Sequence, residues 1–506
     1  MCPAWFRRGW RAGFAAAAAT VLGGCATVGP DYVPPEMRAP DVWSAPADRG
    51  GPPLTTPDLD RLSSWWTAFD DPLLTSLVER AVDGSLDVRT ALSRLREARA
   101  SLGVAEADRL PVVDATGSAN VSRVGVDGAS LLSEFYRVGL DASWEIDLFG
   151  GIARSVEAAV ADLDSRHANL QDVLVTLAGD VALEYVNVRS LQQRIAVAEA
   201  NIQAQEETFD LTRFRAQAGL ASELDVEQAL SNLESTRAQI PAFRAELSRT
   251  RHRLAVLVGE TPAALNADLA AIGPIPVAPL DVAVGVPAET LRRRPDIRRA
   301  ERQIAVQSAL LGVTTAQLYP QLRLSGSIGL EALAASELVS LDALNLGGGP
   351  SFSWRLFDRG QIRRSIEVQT ELQEQSLIAY EASVLAALAE VEDTLVGVAE
   401  EQLRLERLTS AAAAAGNAVE LSILLYEAGL RDFSEVLVAQ RSLLSIQDLV
   451  AVSESEVTAN LIRLFKALGG GWDAEALLPA VAIEQPRGGE GSRPTDVPAA
   501  ARESRR

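Results

Sequence analysis

Histidine and methionine are almost missing from this 506-residue chain, which has two of each. His167 and His252 stand too far apart in sequence to form a local zinc motif, and neither a phosphate-binding loop ending in Gly-Lys-Ser/Thr nor a Gly-x-Ser-x-Gly elbow occurs. Gly347-Gly348-Gly349-Pro350 is a glycine run that invites a phosphate reading, but no lysine and no helix start follow it. It is expected to be a loop entering a strand. The residues thus point away from an enzyme, and no cofactor or metal is expected. Aromatic residues make up 5% of the chain against 47% hydrophobic residues, a balance that suits long helices better than compact β domains. Positive charge is also short: the net charge is -21, which repels nucleic acid, so no nucleic-acid partner is expected.

Cysteine is reduced to Cys2 and Cys25. The chain opens on a basic stretch with Arg7, Arg8 and Arg11, followed by an apolar run from Ala12 to Leu22 and then Gly23, Gly24 and Cys25. That run is too short to span a bilayer as a helix and has the build of a signal peptide. Leu22-Gly23-Gly24-Cys25 resembles a bacterial lipobox, so residues 1–24 are expected to leave and Cys25 to carry a covalent lipid. Cleavage there removes three arginines and takes the net charge from -21 to -24. Cys25 then becomes the sole thiol, no disulfide can form within one mature chain, and acylation removes a reactive group. Ala26, rather than aspartate, follows the cysteine, which favours the outer membrane.

What is present is a pattern that occurs twice. Ala218-Gly219-Leu220 recurs as Ala428-Gly429-Leu430, and Leu110-Pro111 before an alternating run recurs as Tyr319-Pro320. The spacing of about 210 residues is far longer than any solenoid repeat. Four runs alternate with the period of two that places side chains on opposite faces of a strand. One run sets Val138, Leu140, Ala142, Trp144 and Ile146 against Arg137, Asp141, Ser143 and Glu145. Another sets Leu322, Leu324, Ile328 and Leu330 against Arg323, Ser325, Ser327 and Glu331. Val113 to Val121 and Phe352 to Leu356, with Arg355 on the polar side, repeat the design. An ordinary antiparallel sheet on a core also alternates. Here, however, the polar faces are charged along much of their length, and the runs form two pairs separated by about 170 residues of helical pattern. Apolar outsides with a wet inside suit a transmembrane barrel, yet four strands cannot close one, because the smallest use about eight. Several chains must contribute.

The remainder reads as helix. Arg154 to about Gln217 and Gln361 to Glu427 lack proline and carry heptad seams, from Val156 through Leu174 to Ile202 and from Tyr380 through Val391 to Leu408. Each would be roughly 100 Å long at 1.5 Å per residue. Shorter helices are expected at Leu86 to Leu110, Glu223 to Val258 with a kink at Pro241, Asp296 to Leu318 and Phe433 to Leu468. Leu54 to Pro72 and Thr261 to Pro287 read as extended linkers, with Asp71-Pro72 as a helix start. The chain accordingly divides into residues 1–24, an N-terminal segment 25–83, a first repeat 84–260, a linker 261–294, a second repeat 295–472 and a disordered tail 473–506.

Several short stretches carry a family resemblance: Val28-Gly29-Pro30-Asp31-Tyr32 after Cys25, Trp65-Trp66 with Phe69 and Asp71-Pro72-Leu73, and Glu97-Ala98-Arg99-Ala100. Later come Leu291 to Ile297, reading Leu-Arg-Arg-Arg-Pro-Asp-Ile, then Gly312-Val313, Tyr319-Pro320 and the two Ala-Gly-Leu turns. In this order the set resembles the NodT-type lipoproteins of the outer membrane factor family, which are TolC-like. The resemblance implies a homotrimer whose four strands per chain make a twelve-stranded membrane barrel, continued across the periplasm by an α-helical coiled-coil tunnel. It implies a passive efflux duct with Arg137, Asp141, Ser143, Glu145, Arg323, Ser325, Ser327 and Arg355 on the lumen side. The Ala-Gly-Leu turns, residues 218–220 and 428–430, would meet a periplasmic adaptor, and an inner-membrane transporter of the RND type would dock with it. It further implies that Tyr426 and Arg431 bond to Asp225 to hold the tip closed, with Glu435 at the constriction and Val438 where some relatives have a second carboxylate. A pore-free, lipid-anchored coiled-coil scaffold, a type I secretion duct and a metal-efflux duct are the alternatives. The scarcity of soft ligands favours organic solutes over metal ions.

Overall fold

The computed structural model describes residues 27–37, 39–44, 62–126, 129–277 and 287–472. The expected signal segment, Cys25, the tail 473–506 and parts of both linkers lie outside the described residues. Helices α1 (Pro72–Gly84) and α2 (Leu86–Ala107) lead to strands β1 (Val112–Val126) and β2 (Ala129–Ile146). Then come α3 (Gly151–Gln217), α4 (Glu223–Arg237), α5 (Gln239–Leu257), α6 (Pro287–Arg293) and α7 (Pro295–Ala316). The second half closes with β3 (Gln321–Ala332), β4 (Leu344–Ser353), α8 (Gln361–Glu427) and α9 (Phe433–Ala467). The long helices α3 and α8 have 67 residues each; they begin at 151 and 361 and end at 217 and 427, 210 apart at both ends.

The seam expected on α3 is buried at Val156, Leu170, Leu174, Leu177, Val181, Val188, Leu191, Ile195 and Ala198, although Val160 is exposed. On α8 burial is confined: after Ala399 no residue is buried until Tyr426. The kink expected at Pro241 is a break at Ala238 between α4 and α5. Proline lacks the N–H that would reach the carbonyl of Arg237, and the helix restarts at Gln239, two residues before the proline.

Residues that the family resemblance singles out hold the middle of the molecule together. Asp71 caps α1, its Oδ1 accepting from Leu73 N (2.9 Å) and Leu74 N (3.1 Å), while its Oδ2 accepts from the Tyr185 hydroxyl (2.6 Å). The Trp65 ring stacks on Phe465 with centroids 5.3 Å apart. The Arg294 guanidinium, largely buried, donates to Asp296, to Glu390 (2.7 Å) and to the Ala467 carbonyl (2.7 Å), and so joins α7, α8 and α9. Its Leu62–Phe69 neighbourhood also shows that the first linker is not wholly extended, since Trp65–Phe69 forms a 3-10 helix.

The four strands form one antiparallel sheet in the order β1-β2-β3-β4. Two expectations need correction here. Strand β2 starts at Ala129, nine residues before the run read from alternation. Strand β4 lies at Leu344–Ser353, so Gly347, Gly348, Gly349 and Pro350 sit inside it, and Arg355 lies beyond its end. The glycines are held by pairing rather than by side chains: Gly348 lies opposite Gly326, and a Cβ on Gly348 would fall 3.2 Å from the Gly326 Cα. Arg355 is therefore not a strand residue facing a lumen.

Candidate functional site

Register decides which side chains share a face. Arg137, Asp141, Ser143 and Glu145 of β2 lie opposite Glu331, Ser327, Ser325 and Arg323 of β3, so all of these occupy one face. Asp114, Thr116 and Ser118 of β1 and Asn345 and Ser351 of β4 join them. The charges of β2 and β3 on this face are paired with each other: Arg137 with Asp141 (2.5 Å) and Glu331 (3.7 Å), and Arg323 with Glu145 (3.3 Å). Thr116 Oγ1 donates to Asp141 Oδ2 (2.7 Å) and Asn345 Nδ2 to Glu331 Oε2 (2.6 Å). Such exposed pairs add little stability, so the face serves as a wet, hydrogen-bonding surface. The other face carries Val113, Val138, Leu140, Trp144, Leu324, Ile328, Leu346 and Phe352, all exposed. Among the described residues nothing covers either side, and a contiguous apolar face of this kind marks contact with lipid or protein.

The end of the sheet where the helices begin has an aromatic belt that the sequence reading missed. Trp144 Nε1 donates to the Arg109 carbonyl (2.9 Å), and Trp354 Nε1 to the Leu318 carbonyl (3.0 Å). Phe149 stacks on Tyr319 with centroids 4.8 Å apart. Aromatic girdles of this kind sit where a barrel leaves the membrane. Gly150 and Gly360, both at positive φ (78° and 81°), turn the chain there from strand into α3 and α8. The N-terminal segment is clipped to the same level. Val28 N donates to the Phe149 carbonyl (3.1 Å), and Arg154, nearly buried, donates to the carbonyls of Val28 and Gly29 and to Asp31 (2.6 Å).

At the far end of the long helices, two turns close in one geometry. Gly219 (φ 75°) and Gly429 (φ 72°) supply the left-handed residue after the helix. The next N–H, of Leu220 or Leu430, donates to the carbonyl of Arg215 (2.8 Å) or Leu425 (2.9 Å), as a Schellman motif requires. Both leucines are exposed, as are Leu224 and Val438. Asp225 sits in the capping box of α4, its Oδ2 accepting from Ser222 N (3.0 Å) and Oγ (2.8 Å). Arg431 pairs with Glu435 (3.0 Å). The Tyr426 ring packs on Phe433, while its hydroxyl is buried without a partner. A single chain therefore does not join Asp225 to Tyr426 or Arg431. His167 and His252 are far from a shared purpose: His167 is half-buried on α3, with burial and then Arg298 pushing its pKa below the usual imidazole value, and His252 is exposed on α5.

A sheet with one wet face and one apolar face, continued by two helices of roughly 100 Å that end in tight apolar turns, defines a subunit of a membrane-barrel channel. The pattern of the family described as "Outer membrane efflux protein" matches residues 77–260 and 286–470, once in each half, and the chain belongs to that family. It is 34% identical over 461 residues to Nodulation protein T of Rhizobium leguminosarum bv. trifolii, covering 90% of this chain and 96% of that protein. It is 30% identical over 470 residues to the pyoverdine export outer membrane protein OpmQ of Pseudomonas aeruginosa, covering 90% and 96%. Among solved structures, the outer-membrane channel OprN superposes with a TM-score of 0.81 at 37% identity, covering 88% of this chain and 99% of that one.

Proposed function

We propose that three copies of this chain form the exit duct of a tripartite efflux pump, passive and without catalysis of its own. The sheet is the observation that carries this reading. Its edges β1 and β4 are open, its two faces differ in kind, and four strands are half of what the smallest barrels need. Three copies supply twelve. The helices also call for partner copies, since the distal half of α8 exposes Leu403, Leu421 and Leu424 with no cover among the described residues. A pore-free scaffold has no use for a sheet with a lipid-compatible face. The exposed turns around Leu220 and Leu430 are the surface offered to a periplasmic adaptor, behind which an inner-membrane transporter of the RND class would load the duct. Cargo is taken to be organic solutes, in keeping with the export named for OpmQ.

Cys25 is proposed as the lipid anchor. The clip at Val28 holds the chain beside the aromatic belt, and three residue steps of at most about 11 Å separate Val28 from Cys25, which puts the membrane surface within the cysteine's reach. One acyl chain binds only marginally, whereas several chains together with a barrel anchor stably. Mass spectrometry of the mature N-terminal peptide is expected to find a triacylated Cys25 as its first residue. An unmodified cysteine, or a terminus elsewhere, removes the anchor.

The closed tip is proposed to be held by bonds from Tyr426 and Arg431 to Asp225 that run between neighbouring copies, as one chain leaves these groups apart. Each exposed pair contributes about 0.2 to 1 kcal/mol. Three copies together reach about 2 kcal/mol, enough to shift a two-state tip roughly thirtyfold without locking it. Arg431→Ala and the double change Tyr426→Phe with Arg431→Ser are expected to raise single-channel conductance in planar bilayers while the trimer assembles as before. Equal conductance in all three proteins would take these residues out of the gate.

A further inference from the structure

We infer that Arg215 is a gate-positioning residue that clamps the two closing helix ends of one chain together and aims Tyr426. The inference rests on the duct reading above. Arg215 lies in the last turn of α3, and its guanidinium carbon sits 4.8 Å from the centroid of the Tyr426 ring at the end of α8. Its Nη1 donates to the Glu427 carbonyl (2.8 Å), one of the carbonyls that the end of α8 leaves without a helical partner. Both α3 and α8 end here, so the single cation faces the partial negative charge of two helix termini at once. The Tyr426 ring is thus gripped between Arg215 and Phe433.

Two further observations separate this clamp from ordinary helix-end decoration. First, the halves repeat at 210 residues at these turns, Gly219 matching Gly429, which puts Leu425 in the place of Arg215 and Ala216 in the place of Tyr426. The contact therefore exists once per chain and ties the end of α3 to the end of α8, whose turns the proposed gate holds together. Second, the Arg215 Nε and the Tyr426 hydroxyl are both buried without a hydrogen-bond partner, and Tyr426 is only 5% exposed. Among the described residues neither donor has an acceptor, so this contact carries two unpaired polar atoms and is favourable only through the stacking and the bond to the Glu427 carbonyl. Arg215, 4.8 Å from the ring centroid, fixes where the ring lies.

A stacked, partly desolvated guanidinium and a charge-assisted bond to a carbonyl are together strong enough to hold a tip mostly shut. Single-channel recording of the full-length assembled protein tests the clamp. Arg215→Ala is expected to raise the open-state occupancy roughly tenfold. Arg215→Lys should recover only part of the closure, because an ammonium keeps the charge but not the planar fork. The effect of Arg215→Ala should persist in a Tyr426→Phe background, where the ring remains, and shrink in a Tyr426→Leu background, where only the bond to the Glu427 carbonyl is left. An occupancy unchanged by Arg215→Ala, or an effect of equal size in the Tyr426→Leu background, overturns the clamp while leaving the duct intact. Failure of the wild-type protein to form any unit channel overturns both. If Arg215→Ala does not assemble, Arg215→Lys is compared in the same two backgrounds, with the same outcomes deciding.

Discussion

Leu324→Arg is expected to prevent assembly in the outer membrane, whereas Ser325→Arg, one residue further, leaves it intact. Leu324 pairs with Trp144 and Pro350 on the apolar face, and Ser325 with Ser143 and Gly349 on the charged face. An arginine at mid-bilayer on a lipid-facing position costs about 2 to 4 kcal/mol, a factor of roughly 30 to 1,000 per chain. Symmetry repeats that cost in every copy. On the wet face the same side chain meets water and the neighbouring carboxylates of Asp141 and Glu145. Leu140→Arg should behave as Leu324→Arg does, because Leu140 shares its face, opposite Ile328. Trimer yield after membrane extraction measures the difference. Normal assembly of Leu324→Arg together with loss of Ser325→Arg would mean that the strands face the other way.

Arg294→Met is expected to cost about 3 kcal/mol or more in stability. The guanidinium is buried, and its charged form is favoured: burial works against it, but the hydrogen bond to Asp296 and the charge of Glu390 outweigh that and raise its pKa above the usual value. Methionine fills a similar volume but leaves Asp296, Glu390 and the Ala467 carbonyl without their donor at the point where α7, α8 and α9 meet. Arg294→Lys, which keeps the charge and loses the fork, should fall between the two. Thermal unfolding of the detergent-solubilised protein reads the loss as a lower melting temperature. Equal melting for the wild type and Arg294→Met would show that this cluster holds nothing together.

How far the sequence could be read follows from how each element is specified. The long helices are legible because a heptad seam without proline has few other outcomes, and their ends fall where glycine supplies a left-handed residue. Strands β1 and β3 are legible because every second side chain differs in kind. Strand β4 is not, since Gly347, Gly348 and Gly349 have no side chains to alternate, and its place is set by backbone pairing with β3. The early part of β2 is hidden by the adjacent Leu131 and Leu132, which break the period of two. At the tip, the spacing Ser222-Glu223-Leu224-Asp225 already has the form of a capping box, with aspartate in the position more often held by glutamate. That signal assigns Asp225 a local partner before any gate is considered. Arg215 carries no motif, and only a comparison of the two halves, which sets it against Leu425, singles it out.

One chain brings four strands to a barrel that it cannot close alone. Native mass spectrometry of the mature protein extracted from the outer membrane tests that claim most directly. A single dominant assembly of three chains is the expected result, twelve strands in all. A dominant monomer, or an assembly of any other number of chains, would contradict it.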